Sequence, residues 1–119
     1  MSQGAIAGRM QGKRCIVTGG AQGFGEGIAE RFAAEGATVA ILDIQEGKAA
    51  EAAGRIGQGS FAVGCDVSSR ASVAQAWEAC EAKMGGVDVL VNNAGWSHRN
   101  QPALETTEEE FDRVYAVNV

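Results

Sequence analysis

The feature that most constrains the fold of this chain is an alternation of short apolar, β-rich runs with segments of helical period. Strands are predicted at four places: residues 14–18, 37–43, 60–66 and 87–93. Helices are predicted between them: residues 23–35, 46–56 and, after a cap at Ser68 or Ser69, 70–84. Strand–helix repeats of this kind build parallel βαβ units with right-handed crossovers. The sequence therefore predicts an α/β fold with a doubly wound parallel sheet.

The end of the chain predicts a fourth helix. Phe111, Val114, Tyr115 and Asn118 fall at i, i+3, i+4 and i+7, which is one face of a helix. No Gly or Asn follows this face to cap the helix, and no Pro terminates it. We therefore expect the sheet to be truncated after the fourth strand and part of the next helix. Such a truncation leaves the fourth strand as an exposed apolar edge.

Composition and charge narrow the class of protein. The 119 residues are 45% hydrophobic and 21% charged, which is typical of a soluble globular domain. A net charge of −5 disfavours nucleic acid and anionic membrane surfaces as partners. Cys15, Cys65 and Cys80 are widely spaced without a CxxC pair, so we expect no metal site, no disulfide framework and a reducing, cytoplasmic location. No apolar run has the length of a signal peptide core or a membrane span.

A glycine loop, "TGGAQGFG", joins the first strand to the first helix. Gly19 can make the tight turn, Gly23 allows the backbone to approach a pyrophosphate, and Gly25 permits close contact between helix and strand. The N-terminus of the helix offers N–H groups and partial positive charge to phosphates. The loop predicts a dinucleotide site, with a tight turn that binds nothing as the alternative. A P-loop is excluded because Glu26 follows the glycines where a Lys would be needed.

Asp43 ends the second strand, 24 residues beyond Gly19. An acid at this place can accept hydrogen bonds from the ribose hydroxyls of adenosine. It would repel the 2′-phosphate of NADP by roughly 1 to 4 kcal/mol at a separation of about 4 Å. Gln22 and Ile44 stand at the nearby positions where a phosphate-binding Arg would be placed, and neither carries a positive charge. The sequence therefore predicts NAD as the cofactor in preference to NADP, unless Asp43 is only a surface cap.

Four motifs in order resemble the classical short-chain dehydrogenase/reductase family. They are T-G-x-x-x-G-x-G at residues 18–25, CDVS at 65–68, NNAG at 92–95 and VNV at 117–119. The resemblance implies a Rossmann-type fold and hydride transfer between a nicotinamide cofactor and a small secondary alcohol or ketone. An S-adenosylmethionine methyltransferase would share the glycine loop and the acid after the second strand, but it does not account for NNAG.

The resemblance also implies roles for individual residues. Asp66 and Val67 would bind the adenine, Asn93 would begin the segment along the adenosine ribose, and Asn118 would be the catalytic residue, part of a proton relay. With Gln22 and Ile44 included, the full set of expected cofactor-binding residues is Gly19, Gln22, Gly23, Phe24, Gly25, Asp43, Ile44, Asp66, Val67, Asn93, Ala94 and Gly95.

Part of the family's catalytic set has no counterpart in the chain. The family uses a Ser and a Tyr followed four residues later by a Lys, whereas the single Tyr here, Tyr115, is followed by Val119. We therefore expect residues 1–12 to be a flexible lead and residues 13–119 to be an NAD-binding Rossmann domain without its catalytic half, inactive alone. The full-length protein would be a homodimer or homotetramer. The competing interpretation is a non-catalytic dinucleotide-binding module completed by a partner chain.

Overall fold

The structure is a computed structural model that describes residues 9–93 and the backbone of residues 115–118. The described elements, in chain order, are β1 (Arg14–Thr18), α1 (Gly23–Ala34), β2 (Thr38–Asp43), α2 (Glu46–Ile56), β3 (Phe61–Gly64), α3 (Arg70–Met84), β4 (Val89–Asn92) and β5 (Tyr115–Asn118). The predicted strands and helices within residues 14–92 are all present. Their ends agree with the predictions to within a few residues.

The described strands form one parallel sheet in the order β3-β2-β1-β4-β5. β1 is central, and its Ile16 pairs with Ala40 of β2 on one side and with Leu90 of β4 on the other. The chain winds outward from β1 to β3, then crosses back to β4 on the opposite side of β1. This reversal confirms the doubly wound parallel sheet, and it opens a crevice at the carboxyl ends of β1 and β4.

The side chains of β1 divide the core into two layers. Cys15 and Val17 are buried against α1 and α2 on one face of the sheet, through residues such as Ala29 and Ala49. Ile16 points to the other face, where it packs in the cluster that contains Trp77 of α3. Both faces of β1 are therefore covered, which explains why its sequence is continuously apolar rather than alternating.

The ends of α3 follow from short-range chemistry. Ser69 is the N-cap, and its hydroxyl accepts a hydrogen bond from the Ser72 N–H at 3.2 Å. Gly85 ends the helix with a φ of +80°, and its N–H donates to the Glu81 carbonyl at 2.7 Å. Of the two serines predicted as caps, Ser69 is therefore the one that caps the backbone.

The segment before β1 is attached to the core at Met10. The Met10 N–H donates to the Glu35 carbonyl at 2.8 Å, and its side chain packs against the α1–α2 layer. Residues 1–8, the rest of the predicted lead, lie outside the described residues. Across the described ranges 9–93 and 115–118, no helix has the combination of length and apolar character required to cross a bilayer.

The helix predicted at the end of the chain is wrong for its last turn. Tyr115–Asn118 form β5, which pairs in parallel with β4, so that Asn118 lies opposite Asn92. A short apolar run fits a helical and a strand pattern equally well. The backbone N–H and C=O groups along the edge of β4 favour the strand, because a paired edge satisfies them. Phe111 and Val114, which belonged to the same predicted helix, lie outside the described residues.

Candidate functional site

The glycine loop turns sharply at Gly19, directly after β1. Gly19 has a φ of +65°, which favours glycine, and its N–H donates to the Leu42 carbonyl of β2 at 2.7 Å. A Cβ added to Gly25 would stand 2.1 Å from the Gly19 carbonyl oxygen, closer than any such contact allows. The loop and the first turn of α1 therefore touch through backbone alone, and the structure explains the glycines at both positions.

Asn93 holds the Gly19 turn from the side of β4. Its side-chain Nδ2 donates to the Gly19 carbonyl at 3.2 Å, and its backbone N–H donates to the Thr18 hydroxyl at 2.9 Å. The fully buried Thr18 hydroxyl in turn donates to the Val91 carbonyl at 3.3 Å. The structure thus joins the ends of β1 and β4 at the switch point. The sequence analysis assigned a role to Asn93 but none to Thr18, which it named only as the first residue of the glycine motif. The signal for Thr18 is a polar residue that ends an otherwise apolar buried strand.

Asp43 bridges the glycine loop and the turn after β2. Its Oδ2 accepts from the Ala21 N–H at 3.3 Å, and its Oδ1 accepts from the Gln45 N–H at 3.0 Å. An ionised carboxylate has about four lone-pair positions, so two backbone donors leave room for two further hydrogen bonds. The carboxylate is held in one orientation and can still accept hydrogen bonds from hydroxyl groups of a ligand.

Asp66 lies beside Asp43, in the turn after β3. The backbones are joined by the Cys65 N–H, which donates to the Asp43 carbonyl at 3.0 Å. Asp66 Oδ1 accepts from the Ser68 hydroxyl at 2.6 Å and from the Ser68 N–H at 3.0 Å. These two bonds hold the pKa of Asp66 below its ordinary value of 3.8, and the bond from the Ser68 hydroxyl has the larger effect. Ser68 was named as a possible helix cap and as the last residue of the CDVS motif, without a role toward Asp66, so its link to that carboxylate was missed.

A cavity of about 220 Å³ opens between these two turns. Five of the predicted cofactor residues line it together with Leu42 and Cys65; they are Gly19, Asp43, Ile44, Asp66 and Val67. Its chemistry combines two carboxylates with aliphatic walls, and Ile44 is 69% exposed at its margin. Such a site suits a flat heterocycle with donor groups joined to a hydroxylated sugar, as in adenosine. The residues present therefore fit the adenosine part of a dinucleotide.

The remaining predicted residues lie elsewhere. Gly23 and Phe24 line a separate groove of about 510 Å³ along α1, shared with Ile28 and Phe32, and Phe24 is 80% exposed. Gln22 is the N-cap residue of α1, without a side-chain capping bond. Ala94 and Gly95 lie outside the described residues. Asn118 lies at the carboxyl end of β5, the same edge of the sheet as the cavity, but it is in a strand and not in the predicted helix.

The N-terminus of α1 lies at this edge because the helix follows β1 directly. The first N–H groups of a helix have no acceptors within it, so those of Gly23 and Phe24 can meet an anion. Glu26 in the first turn adds a negative charge, but its carboxylate is paired with Arg55 of α2 at 2.6 Å. Within the described residues, no group of three or more His, Cys, Asp or Glu side chains could hold a metal ion.

Comparison with known proteins gives consistent matches. The sequence model of the family described as short chain dehydrogenase matches residues 13–119. The 4-formylbenzenesulfonate dehydrogenase of Comamonas testosteroni is 49% identical over 107 residues, which cover 87% of this chain and 42% of that protein. The L-2,3-butanediol dehydrogenase of Corynebacterium glutamicum is 46% identical over 112 residues, covering 90% of this chain and 43% of that protein.

A solved structure agrees with the sequence matches. The 3-ketoacyl-(acyl-carrier-protein) reductase of Brucella melitensis, complexed with NADH, has a TM-score of 0.70 and 48% identity. The match covers 88% of this chain and 43% of that one. The chain therefore spans less than half the length of these three proteins.

Proposed function

The chain belongs to the short chain dehydrogenase family, and we propose that it is the NAD-binding part of an oxidoreductase that interconverts a secondary alcohol and a ketone. The observation that carries this proposal is the cavity shared by Gly19, Asp43, Ile44, Asp66 and Val67. These residues come from three separate strand–helix turns, and each was predicted to bind the cofactor. NAD, when bound, supplies the nicotinamide ring that accepts or donates the hydride.

We assign Asp43 to the ribose of the adenosine and Asp66 to the adenine. Two backbone N–H groups already orient the Asp43 carboxylate, so hydroxyl binding requires little further ordering of the side chain. Gly23 and Phe24 provide N–H groups for the pyrophosphate at the start of α1. The Brucella melitensis reductase, which is 48% identical over the matched region, is complexed with NADH, and this supports a nicotinamide dinucleotide as the ligand.

We further propose that NAD binds more tightly than NADP. A 2′-phosphate on the ribose would approach the Asp43 carboxylate, and the resulting repulsion corresponds to about one to three powers of ten in affinity. Among the residues that the structure describes, the cavity lining contains two carboxylates and no Lys or Arg that could offset this repulsion. The preference follows from the charge of Asp43, and removing that charge should reduce it.

We expect this chain to bind NAD without catalysing hydride transfer. The proton-transfer residues of the family are a Tyr and a Lys four positions later, and the only Tyr here is followed by Val119 at that distance. Asn118 is proposed as a member of the proton relay of the whole protein. We therefore propose that the 119 residues bind NAD and do not oxidise an alcohol by themselves.

For the protein as a whole, we propose a division into a lead of residues 1–12 and a cofactor domain from residue 13, a cytoplasmic location and assembly as a homodimer or homotetramer. The three cysteines are free and buried, as expected for a protein of a reducing compartment. A dehydrogenase and a non-catalytic binding module differ in turnover, so alcohol-dependent NADH formation by the intact protein distinguishes them.

Calorimetric titration of the chain with NAD, and separately with S-adenosylmethionine, tests the proposal. We expect saturable binding of NAD and no heat change above dilution with the methyl donor. The Asp43→Ala variant should bind NAD more weakly, while Glu51→Ala, an exposed acid on the outer part of α2, should bind it normally. Binding of S-adenosylmethionine without binding of NAD would contradict this proposal and indicate a methyltransferase.

A further inference from the structure

We propose that Ser68 is a positioning residue for recognition of the adenine base, acting through Asp66. This inference rests on the proposed NAD-binding function and adds to it a residue that strengthens base specificity by orienting Asp66. Ser68 is exposed and is absent from the cavity lining, whereas Asp66 lines the cavity. Any effect of the serine on a ligand is therefore expected to pass through the carboxylate.

Ser68 holds one specific oxygen of Asp66. Its hydroxyl and its backbone N–H both donate to Oδ1, at 2.6 and 3.0 Å, so the carboxylate is fixed by two bonds from a single residue. The main chain of Asp66 is fixed as well, because its N–H donates to the Ser72 hydroxyl at 2.9 Å. With Oδ1 engaged and the backbone held, Oδ2 is left as the acceptor for a donor on a ligand.

This arrangement favours one kind of base. An ionised carboxylate only accepts hydrogen bonds, and donors on Oδ1 favour the ionised form, in line with the lowered pKa of Asp66. Adenine presents an amino group at position 6, which donates. Hypoxanthine presents a carbonyl oxygen there, which would place two acceptors against each other. A well-oriented Asp66 should therefore select the amino purine, and a loosely held one should select it less strongly.

The serines of this turn provide matched controls. Ser69, the next residue, caps α3 through its hydroxyl and makes its described side-chain bond to Ser72. Ser69→Ala removes the same atom from a neighbouring position and is expected to lower the melting temperature without changing base preference. Ser68→Thr keeps the hydroxyl and should retain the behaviour of the natural chain.

The experiment measures dissociation constants for NAD and for nicotinamide hypoxanthine dinucleotide, in which an oxygen replaces the 6-amino group. We expect Ser68→Ala to weaken NAD binding by about two- to tenfold, the range of one net hydrogen bond. The affinity for the hypoxanthine dinucleotide should stay constant. The ratio of its dissociation constant to that of NAD should therefore fall. In an Asp66→Ala background, which has no side-chain oxygen for Ser68 to hold, the same Ser68→Ala change should leave the ratio unaltered.

Three results would overturn the inference. Equal weakening of both dinucleotides by Ser68→Ala would show a general structural role for the serine. No weakening of either would show that Asp66 needs no positioning. A natural chain that binds neither dinucleotide would refute the proposed function itself, and the role of Ser68 with it.

Discussion

Gly25 and Gly19 are in direct backbone contact, so close that a Cβ on Gly25 would lie 2.1 Å from the Gly19 carbonyl oxygen. The same Gly19 carbonyl accepts a hydrogen bond from Asn93 Nδ2 at 3.2 Å. One peptide group therefore connects the loop after β1, the start of α1 and the end of β4. The cavity bounded by Gly19, Asp43 and Asp66 depends on this connection, because Gly19 forms part of its wall.

Substituting Gly25 by Ala should disrupt the site more than its size suggests. The new methyl group meets backbone atoms that cannot rotate away, and overpacking of this kind typically costs about 1 to 3 kcal/mol of unfolding free energy. Urea unfolding should show this loss, and NAD binding should weaken.

Gly27→Ala is the control, because nothing lies within 4 Å of a Cβ at that helical position. Helix propensity predicts a gain of about 0.5 to 1 kcal/mol for it. Equal stability of the two variants would contradict the contact.

Thr18 should be required for its hydroxyl and not for its shape. The hydroxyl donates to the Val91 carbonyl in a buried bond and accepts from the Asn93 N–H in a partly buried one. Thr18→Val preserves the shape of the side chain but removes the hydroxyl, so the Val91 carbonyl and the Asn93 N–H each lose this hydrogen-bond partner. The loss should lower the unfolding free energy by about 1 to 3 kcal/mol. Thr38→Val, at the first residue of β2, is the comparison. A loss no larger than that of Thr38→Val would show that Thr18 does not join β1 to β4.

The pH dependence of stability should include a contribution from Asp88. Arg14 donates to both oxygens of Asp88 at 2.9 and 3.1 Å, and chiefly these side-chain bonds hold the pKa of Asp88 below its ordinary value of 3.8. A lowered pKa means that the contribution is present above pH 3.8 and is lost as the pH falls through the folded-state value. Because both side chains are about one-third exposed, we expect it to be at most about 1 kcal/mol.

Urea unfolding of the natural chain and of Asp88→Asn at several pH values checks this contribution. The difference in unfolding free energy should be constant near neutral pH and should shrink below pH 3.8. A difference that grew as the pH fell would contradict the sign of the pKa change.

The three thiols should be inert in the folded chain. Burial raises the pKa of Cys15 and of Cys80 to about 12 in each case, and it also raises the pKa of Cys65. A thiol reagent at pH 8 therefore meets almost no thiolate. We expect slow labelling, with Cys65 first because it lines the cavity, and labelling of all three thiols in denaturant. Fast reaction of Cys15 or Cys80 in the native state would contradict the burial of that residue.

Much of the site could be predicted because its chemistry is local in sequence. The glycine loop, the acid that ends β2 and the Asp66–Val67 pair each lie at the end of a predicted strand or directly after it. Parallel strands bring their carboxyl ends to one edge, so strand order places Gly19, Asp43 and Asp66 together. For the glycine loop and Asp43 the prediction required only the strand assignment and the general rule for doubly wound sheets. Asp66 and Val67 were assigned from the resemblance of the CDVS motif to the short-chain dehydrogenase/reductase family.

The missed features depend on partners that the sequence pattern does not pair. Thr18 bonds with residues 73 and 75 positions away, and this pairing follows from the register of β1 with β4. Ser68 could be identified as a cap candidate, but its bond to Asp66 depends on the conformation of one turn. The last turn of the predicted terminal helix was wrong because Tyr115–Asn118 fit both periods, and pairing with β4 decides between them.

The most direct test of the central claim is the pair of dissociation constants for NAD and NADP, measured by calorimetry on the natural chain and on Asp43→Asn. We predict that the natural chain binds NAD more tightly than NADP by at least about tenfold, and that Asp43→Asn reduces this ratio because it removes the repelling charge. Equal affinity for the two cofactors in the natural chain, or a ratio unaffected by Asp43→Asn, would contradict the placement of the adenosine ribose against Asp43.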